Sequence, residues 1–150
     1  GKPVDETLLP LMFSYYLILD AEAEIHVGNN TEKLDSGEKA LFDIAVLEQY
    51  ADNDKDQLKV LIETFIEKSS QDIKNIEAQL KVGDATTWYE AVHSLKGAAG
   101  FVGSSALTSL CEDAESAKDK PKEILAKHFK AINSIYADLT KQLNKVSELL

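Results

Sequence analysis

Apolar residues in the second half of the chain recur at three- and four-residue steps, the spacing of one face of an α-helix. Over residues 54–80 they are Leu58, Leu61, Ile62, Phe65, Ile66, Ile73, Ile76 and Leu80, with acids, lysines and glutamines on the other faces. Gly83 predicts the end of that helix, and Asp84 is a suitable N-cap for the next. The second stripe runs through Trp88, Ala91, Val92, Leu95, Ala99 and Val102 and stops before Gly103. Ser104 or Ser105 can cap a third helix with its stripe at Leu107, Leu110, Cys111, Ala114 and Ala117. Pro121 suits the first turn of a fourth. Its stripe is Ile124, Leu125, His128, Ile132, Ile135, Leu139, Leu143, Val146 and Leu150.

No tract alternates apolar and polar residues between turns as strands do. The predicted fold class is therefore all-α: four amphipathic helices joined by short turns, packed as an up-down-up-down four-helix bundle. A shorter helix over about residues 43–51, with Ile44, Leu47 and Tyr50 inward, is expected to cap one end. Residues 29–37 read as a linker. Residues 1–40 form an N-terminal extension and residues 41–150 the domain.

Composition narrows the function. At 150 residues and 44% apolar content the chain can build one core and is too apolar for a disordered polymer. A net charge of −10 argues against nucleic acid as a partner, because phosphate contacts need clustered Lys and Arg. It argues equally against an anionic membrane surface. The apolar stretch at residues 8–19 is too short to span a bilayer, contains Pro10 and lacks the basic start of a signal peptide. The single cysteine, Cys111, makes no internal disulfide and falls on a core stripe, which fits the cytoplasm. One cysteine and three scattered histidines offer no metal site. One self-contained bundle has a monomer as its default state.

Residues 91–103, AVHSLKGAAGFVG, carry the chemistry. On a helix, Val92, Leu95, Ala99 and Val102 turn inward. His93, Lys96, Gly97 and Gly100 lie at i, i+3, i+4 and i+7 on one outward stripe. Each glycine there costs a helix about 0.5–1 kcal/mol relative to alanine, so stability alone would not select them. Bare backbone beside an exposed imidazole suits the close approach of another protein. Neutral imidazole is nucleophilic near neutral pH, and its two nitrogens can take separate tasks. A turn centred on Ser104 puts Glu115 opposite His93. There it would accept the Nδ1 proton, fix the tautomer and leave Nε2 for a phosphoryl group. Lys96, one turn along, can offset phosphoryl charge. His128 reads as a partly buried structural residue, His26 has no evident partner, and Trp88 and Phe101 read as core or interface residues.

At His93-Ser-Leu-Lys96-Gly97-Ala-Ala-Gly100-Phe-Val-Gly103, followed by Leu107, Leu110 and Cys-Glu-x-Ala-Glu ending at Glu115, the sequence resembles the histidine phosphotransfer (HPt) family. The resemblance implies that His93 accepts a phosphoryl group from a receiver-domain aspartate and passes it to another receiver. It implies that Lys96 assists, and that Gly97 and Gly100 admit the response-regulator receiver domain. Family members carry Gln or Glu at the position of Glu115. No cofactor is expected in the chain itself, Mg²⁺ belonging to the receiver. No nucleotide-binding loop is present, so the chain reads as a carrier without its own ATP site.

Two other readings stay open: the phospho-accepting domain of a chemotaxis-type kinase, and a helical protein-binding module without phosphate chemistry. A second, shorter resemblance lies at Lys2-Pro3-Val4-Asp5 with Thr-Leu-Leu-x-Leu after it. It is similar to the Lys-Pro loop and last helix of a receiver domain, placing a receiver tail at residues 2–17 and implying a hybrid sensor kinase as parent. Pro10 within that helix counts against it.

Overall fold

A computed structural model describes residues 39–150. The proposed receiver tail at 2–17 and the linker at 29–37 lie outside the described residues. Among those described there are five helices and no strand: α1 (Ile44–Ala51), α2 (Lys55–Val82), α3 (Ala85–Phe101), α4 (Ser105–Ser116) and α5 (Lys122–Leu149).

The first four helices begin where a side chain can accept from the first-turn amides, which no intrahelical carbonyl reaches. Asp43, Asp54, Asp84 and Ser104 cap α1 to α4 in this way. Asp84 forms a reciprocal capping box with Thr87: its carboxylate accepts from the Thr87 amide, and the Thr87 hydroxyl accepts from the Asp84 amide. Pro121 falls one position earlier than its sequence reading, as the N-cap of α5, with no side-chain cap bond. Gly83 closes α2 in an extended conformation (φ −85°) and not a left-handed one. It is required there by space, since a Cβ would lie 2.8 Å from the Gln79 Cα. Gly103 is the glycine with positive φ (66°), and a Cβ on it would lie 2.5 Å from the Asp43 Cβ.

Helices adjacent in sequence pack side by side, and α5 closes the ring against both α2 and α4. The stripes named from the sequence meet in one core. Leu58, Ile62, Trp88, Val92, Leu95, Leu107, Cys111, Ile132 and Leu139 are fully buried. Trp88 satisfies its indole N–H at the Ala114 carbonyl, 2.8 Å away, and so ties α3 to α4. Polar pins complete the set. The Tyr136 and Ser69 hydroxyls bond at 2.9 Å between α5 and α2. On α5, Gln142 donates to the Lys39 carbonyl and accepts from the Leu41 amide, each at 2.7 Å.

The short helix α1 sits over the turn between α3 and α4, where the Asp43 amide donates to the Val102 carbonyl. Phe42, Leu47 and Ala51 bury there. Tyr50 does not: it is 53% exposed and stacks on Phe101 with ring centroids 4.6 Å apart. Ile124 at the start of α5 is likewise exposed, while its neighbour Leu125 is buried. His128 is half-buried. No helix of the described residues is long and apolar enough to cross a membrane.

Candidate functional site

The middle of α3 presents the outward stripe read from the sequence. His93, Gly97 and Gly100 are exposed, while Val92, Leu95 and Ala99 are fully buried on the opposite face. A Cβ built on Gly97 or Gly100 meets nothing within 4 Å. The bundle therefore makes no demand for glycine at either position.

The turn at Val102–Ser104 folds α4 back along α3 and brings Glu115 across from His93. Glu115 lies near the C-terminus of α4, where the helix dipole disfavours an anion, and it is only 8% exposed. Its two oxygens are divided. Oε2 lies 2.7 Å from His93 Nδ1, and Oε1 accepts from Lys96 Nζ at 2.8 Å. Burial pushes the Glu115 carboxyl up, but the Lys96 and His93 hydrogen bonds and their charge outweigh it, so the net position is below the usual carboxylate value. The Glu115 hydrogen bond in turn raises the Lys96 ammonium above its ordinary value, against partial desolvation. An ionised carboxylate only accepts hydrogen bonds, so Nδ1 is the donor. A neutral His93 ring then carries its lone pair on Nε2, and its side chain is 58% exposed.

The structure thus brings His93, Lys96 and Glu115 together and places Gly97 and Gly100 on the same open face. It also adds residues the sequence did not single out. Tyr89, one turn before His93, lies nearly parallel to the imidazole at 5.6 Å between centroids, and the Lys118 ammonium sits over the Tyr89 ring. On α2, Asp72 is buried at 5% exposure, although the sequence places the acids of that helix off its apolar stripe. It accepts from the Ser94 hydroxyl at 2.8 Å and from Lys68 Nζ at 3.1 Å. A groove of about 480 Å³ runs beside His93 between α2 and α3, its walls including Phe65, Ala98 and Phe101. Cys111 is out of play as a nucleophile, because burial pushes its thiol up to about 12. No cluster of three or more His, Cys, Asp or Glu side chains that could hold a metal ion occurs among the described residues.

The site is thus an exposed imidazole paired with a buried carboxylate on the adjacent helix of a helical bundle. The chain belongs to the Hpt domain family, whose pattern matches residues 60–147, more than half of its length. It is thus a phosphorelay intermediate of two-component signalling, a family whose members relay phosphoryl groups with receiver domains. Two solved structures share the fold. Histidine-containing phosphotransfer protein B from Pseudomonas aeruginosa PAO1 is 22% identical with a TM-score of 0.64, over 72% of this chain and 95% of that one. A rice protein described as a histidine-containing phosphotransfer protein is 16% identical with a TM-score of 0.66, over 89% of this chain and 94% of that one. No curated protein sequence matches the chain.

Proposed function

We propose that His93 is the phosphoryl-carrying residue and that Nε2 is the atom that carries it. The observation behind this reading is the 2.7 Å contact between His93 Nδ1 and Glu115 Oε2, which leaves Nε2 as the nucleophile. In the transfer, Nε2 attacks the phosphorus of a receiver aspartyl phosphate and the receiver carboxylate leaves with the bonding pair. The ring keeps its Nδ1 proton and gains positive charge facing Glu115, so no base needs to remove a proton. Lys96, beside the same carboxylate, offsets charge on the phosphoryl oxygens. The receiver supplies Mg²⁺ and the acidic pocket around the phosphorus, and the domain supplies a positioned nucleophile. Gly97 and Gly100 let the receiver surface approach the ring. The domain acts as a cytoplasmic monomer that contacts neither nucleic acid nor membrane, and takes its phosphoryl group from a protein and not from ATP.

The test is transfer of label from a phosphorylated receiver. Acid-labile, base-stable label on the wild type and none on His93→Gln is the expected result, and label retained by His93→Gln overturns the assignment. A carboxylate partner also suits the chemotaxis-type kinase. Labelling by a separate ATP-binding kinase domain, with no uptake from any phosphorylated receiver, would favour that alternative.

A further inference from the structure

Lys68, Asp72 and Ser94 form a closed triangle where α2 passes His93. The Ser94 hydroxyl donates to Asp72 Oδ1 at 2.8 Å, and Lys68 Nζ donates to Asp72 Oδ2 at 3.1 Å and to Ser94 Oγ at 3.0 Å. The Asp72 side chain is 7% exposed, and a carboxylate buried to that degree persists only when paired. An α2–α3 contact selected for stability alone would be served at least as well by an apolar residue in place of Asp72, since burying a carboxylate carries a desolvation cost that its partners must first offset. The effect of the triangle falls on Lys68. A surface lysine ordinarily samples many rotamers. This one is held by two acceptors while its side chain stays 58% exposed and one ammonium N–H stays uncommitted to them.

Lys68 lines the groove onto which His93 opens, together with Ser94 and Gly97. Lys96, by contrast, is bonded to Glu115 on the Nδ1 side of the ring and is only 27% exposed. A phosphoryl group on Nε2 would therefore have Lys96 toward Glu115 and Lys68 toward the groove. In a chain of net charge −10, two lysines held beside one imidazole form a local exception to the acidic surface.

We propose that Lys68 is a second phosphoryl-binding catalytic residue, held by Asp72 and Ser94 on the groove side of His93. This rests on the reading of His93 as the carrier. Lys68 donates its one uncommitted N–H to a phosphoryl oxygen as the N–P bond forms and the P–O bond to the receiver carboxylate breaks, and it gives up no proton.

Phosphoramidate tests this, because it delivers a phosphoryl group with no docking surface: its P–N bond breaks and ammonia leaves as His93 Nε2 bonds to phosphorus. The full chain and its Lys68→Met, Lys68→Arg and His93→Gln variants are compared for the rate of phosphohistidine formation, with phosphoramidate and with a phosphorylated receiver. Lys68→Met is expected to slow both reactions about five- to tenfold, the factor of one charge contact near a protein surface, while Lys68→Arg stays within about twofold. A double variant, Lys68→Met with Asp72→Asn, removes the unpaired buried charge and should be equally slow, which separates loss of the cation from loss of fold. Wild-type rates with phosphoramidate in both Met variants overturn the proposal, as does a defect confined to the KM for the receiver. If His93→Gln still forms phosphohistidine, the carrier assignment falls. If that variant is silent and the Met variants are unimpaired, only the assignment of Lys68 falls.

Discussion

Glu115 reaches His93 Nδ1 at 2.7 Å from a helix that begins only after the chain has reversed direction, so the site's central pair is a product of tertiary structure. Replacing Glu115 separates its two duties. Glu115→Gln keeps an acceptor oxygen for Nδ1 and should retain most of the transfer rate. Glu115→Leu leaves Nδ1 unpaired and should slow transfer about 10- to 100-fold, the worth of one hydrogen bond to a charged group. Single-turnover transfer from a labelled receiver measures both, and equal rates for Leu and wild type would remove Glu115 from the mechanism.

The same carboxylate should make stability depend on pH. Its value is lowered in the fold, so the unfolded chain binds the proton more readily. Its contribution is full above the ordinary value of 4.5 and is lost as pH falls toward the folded value. Lys96 has the opposite sign: its value is raised in the fold, so its contribution is full below 10.5 and is lost as pH rises through the folded value. Thermal melts of wild type and Glu115→Gln at successive pH values should show a gap that narrows on the acid side of 4.5. A gap independent of pH would contradict the linkage.

Gly97→Ala and Gly100→Ala should each stabilise the domain by about 0.5–1 kcal/mol, since both positions lie within α3 and an added methyl meets open space. The same variants should transfer more slowly from a receiver and at wild-type rate from phosphoramidate. Denaturant melts and the paired rates check this. A stabilised variant with unchanged receiver transfer would deny the glycines any part in docking.

Gly103→Ala should do the reverse. Its left-handed backbone costs an L-residue about 1–2 kcal/mol, and the new methyl would collide with Asp43 at the head of α1. A lower melting temperature with increased proteolysis near α1 is the expected outcome.

The helices were legible because their signals are local. Asp84 and Ser104 cap where their residue types suggest, and the apolar stripes of α2 to α5 meet in the core. His93, Lys96 and the two glycines were legible because they share one helical face. Glu115 was within reach because the turn at Ser104 is short enough for chain geometry to set the register. Lys68, Asp72 and Ser94 were not, since α2 and α3 meet there side by side and nothing in either helix says that a polar residue on one faces a polar residue on the other. Tyr50 misled for a related reason: its place on the apolar face of α1 is real, but its cover is the ring of Phe101 at the surface and not the core.

The spacing along α4 has a consequence for how this domain can diverge. Each residue of an α-helix advances about 100° around its axis, and the buried stripe of Leu107 and Cys111 fixes the rotation of α4, so one residue inserted or removed between Cys111 and Ala114 would swing Glu115 by more than a quarter of a circle. The carboxylate would then face solvent or the interior, and Trp88 would lose its partner at Ala114 in the same stroke. Loops elsewhere in a bundle can lengthen at small cost, as loop-closure entropy grows slowly with length. Within α4 the spacing from the core stripe to Glu115 works as a phase lock between nucleophile and orienting group, and chemistry as well as packing sets its tolerance.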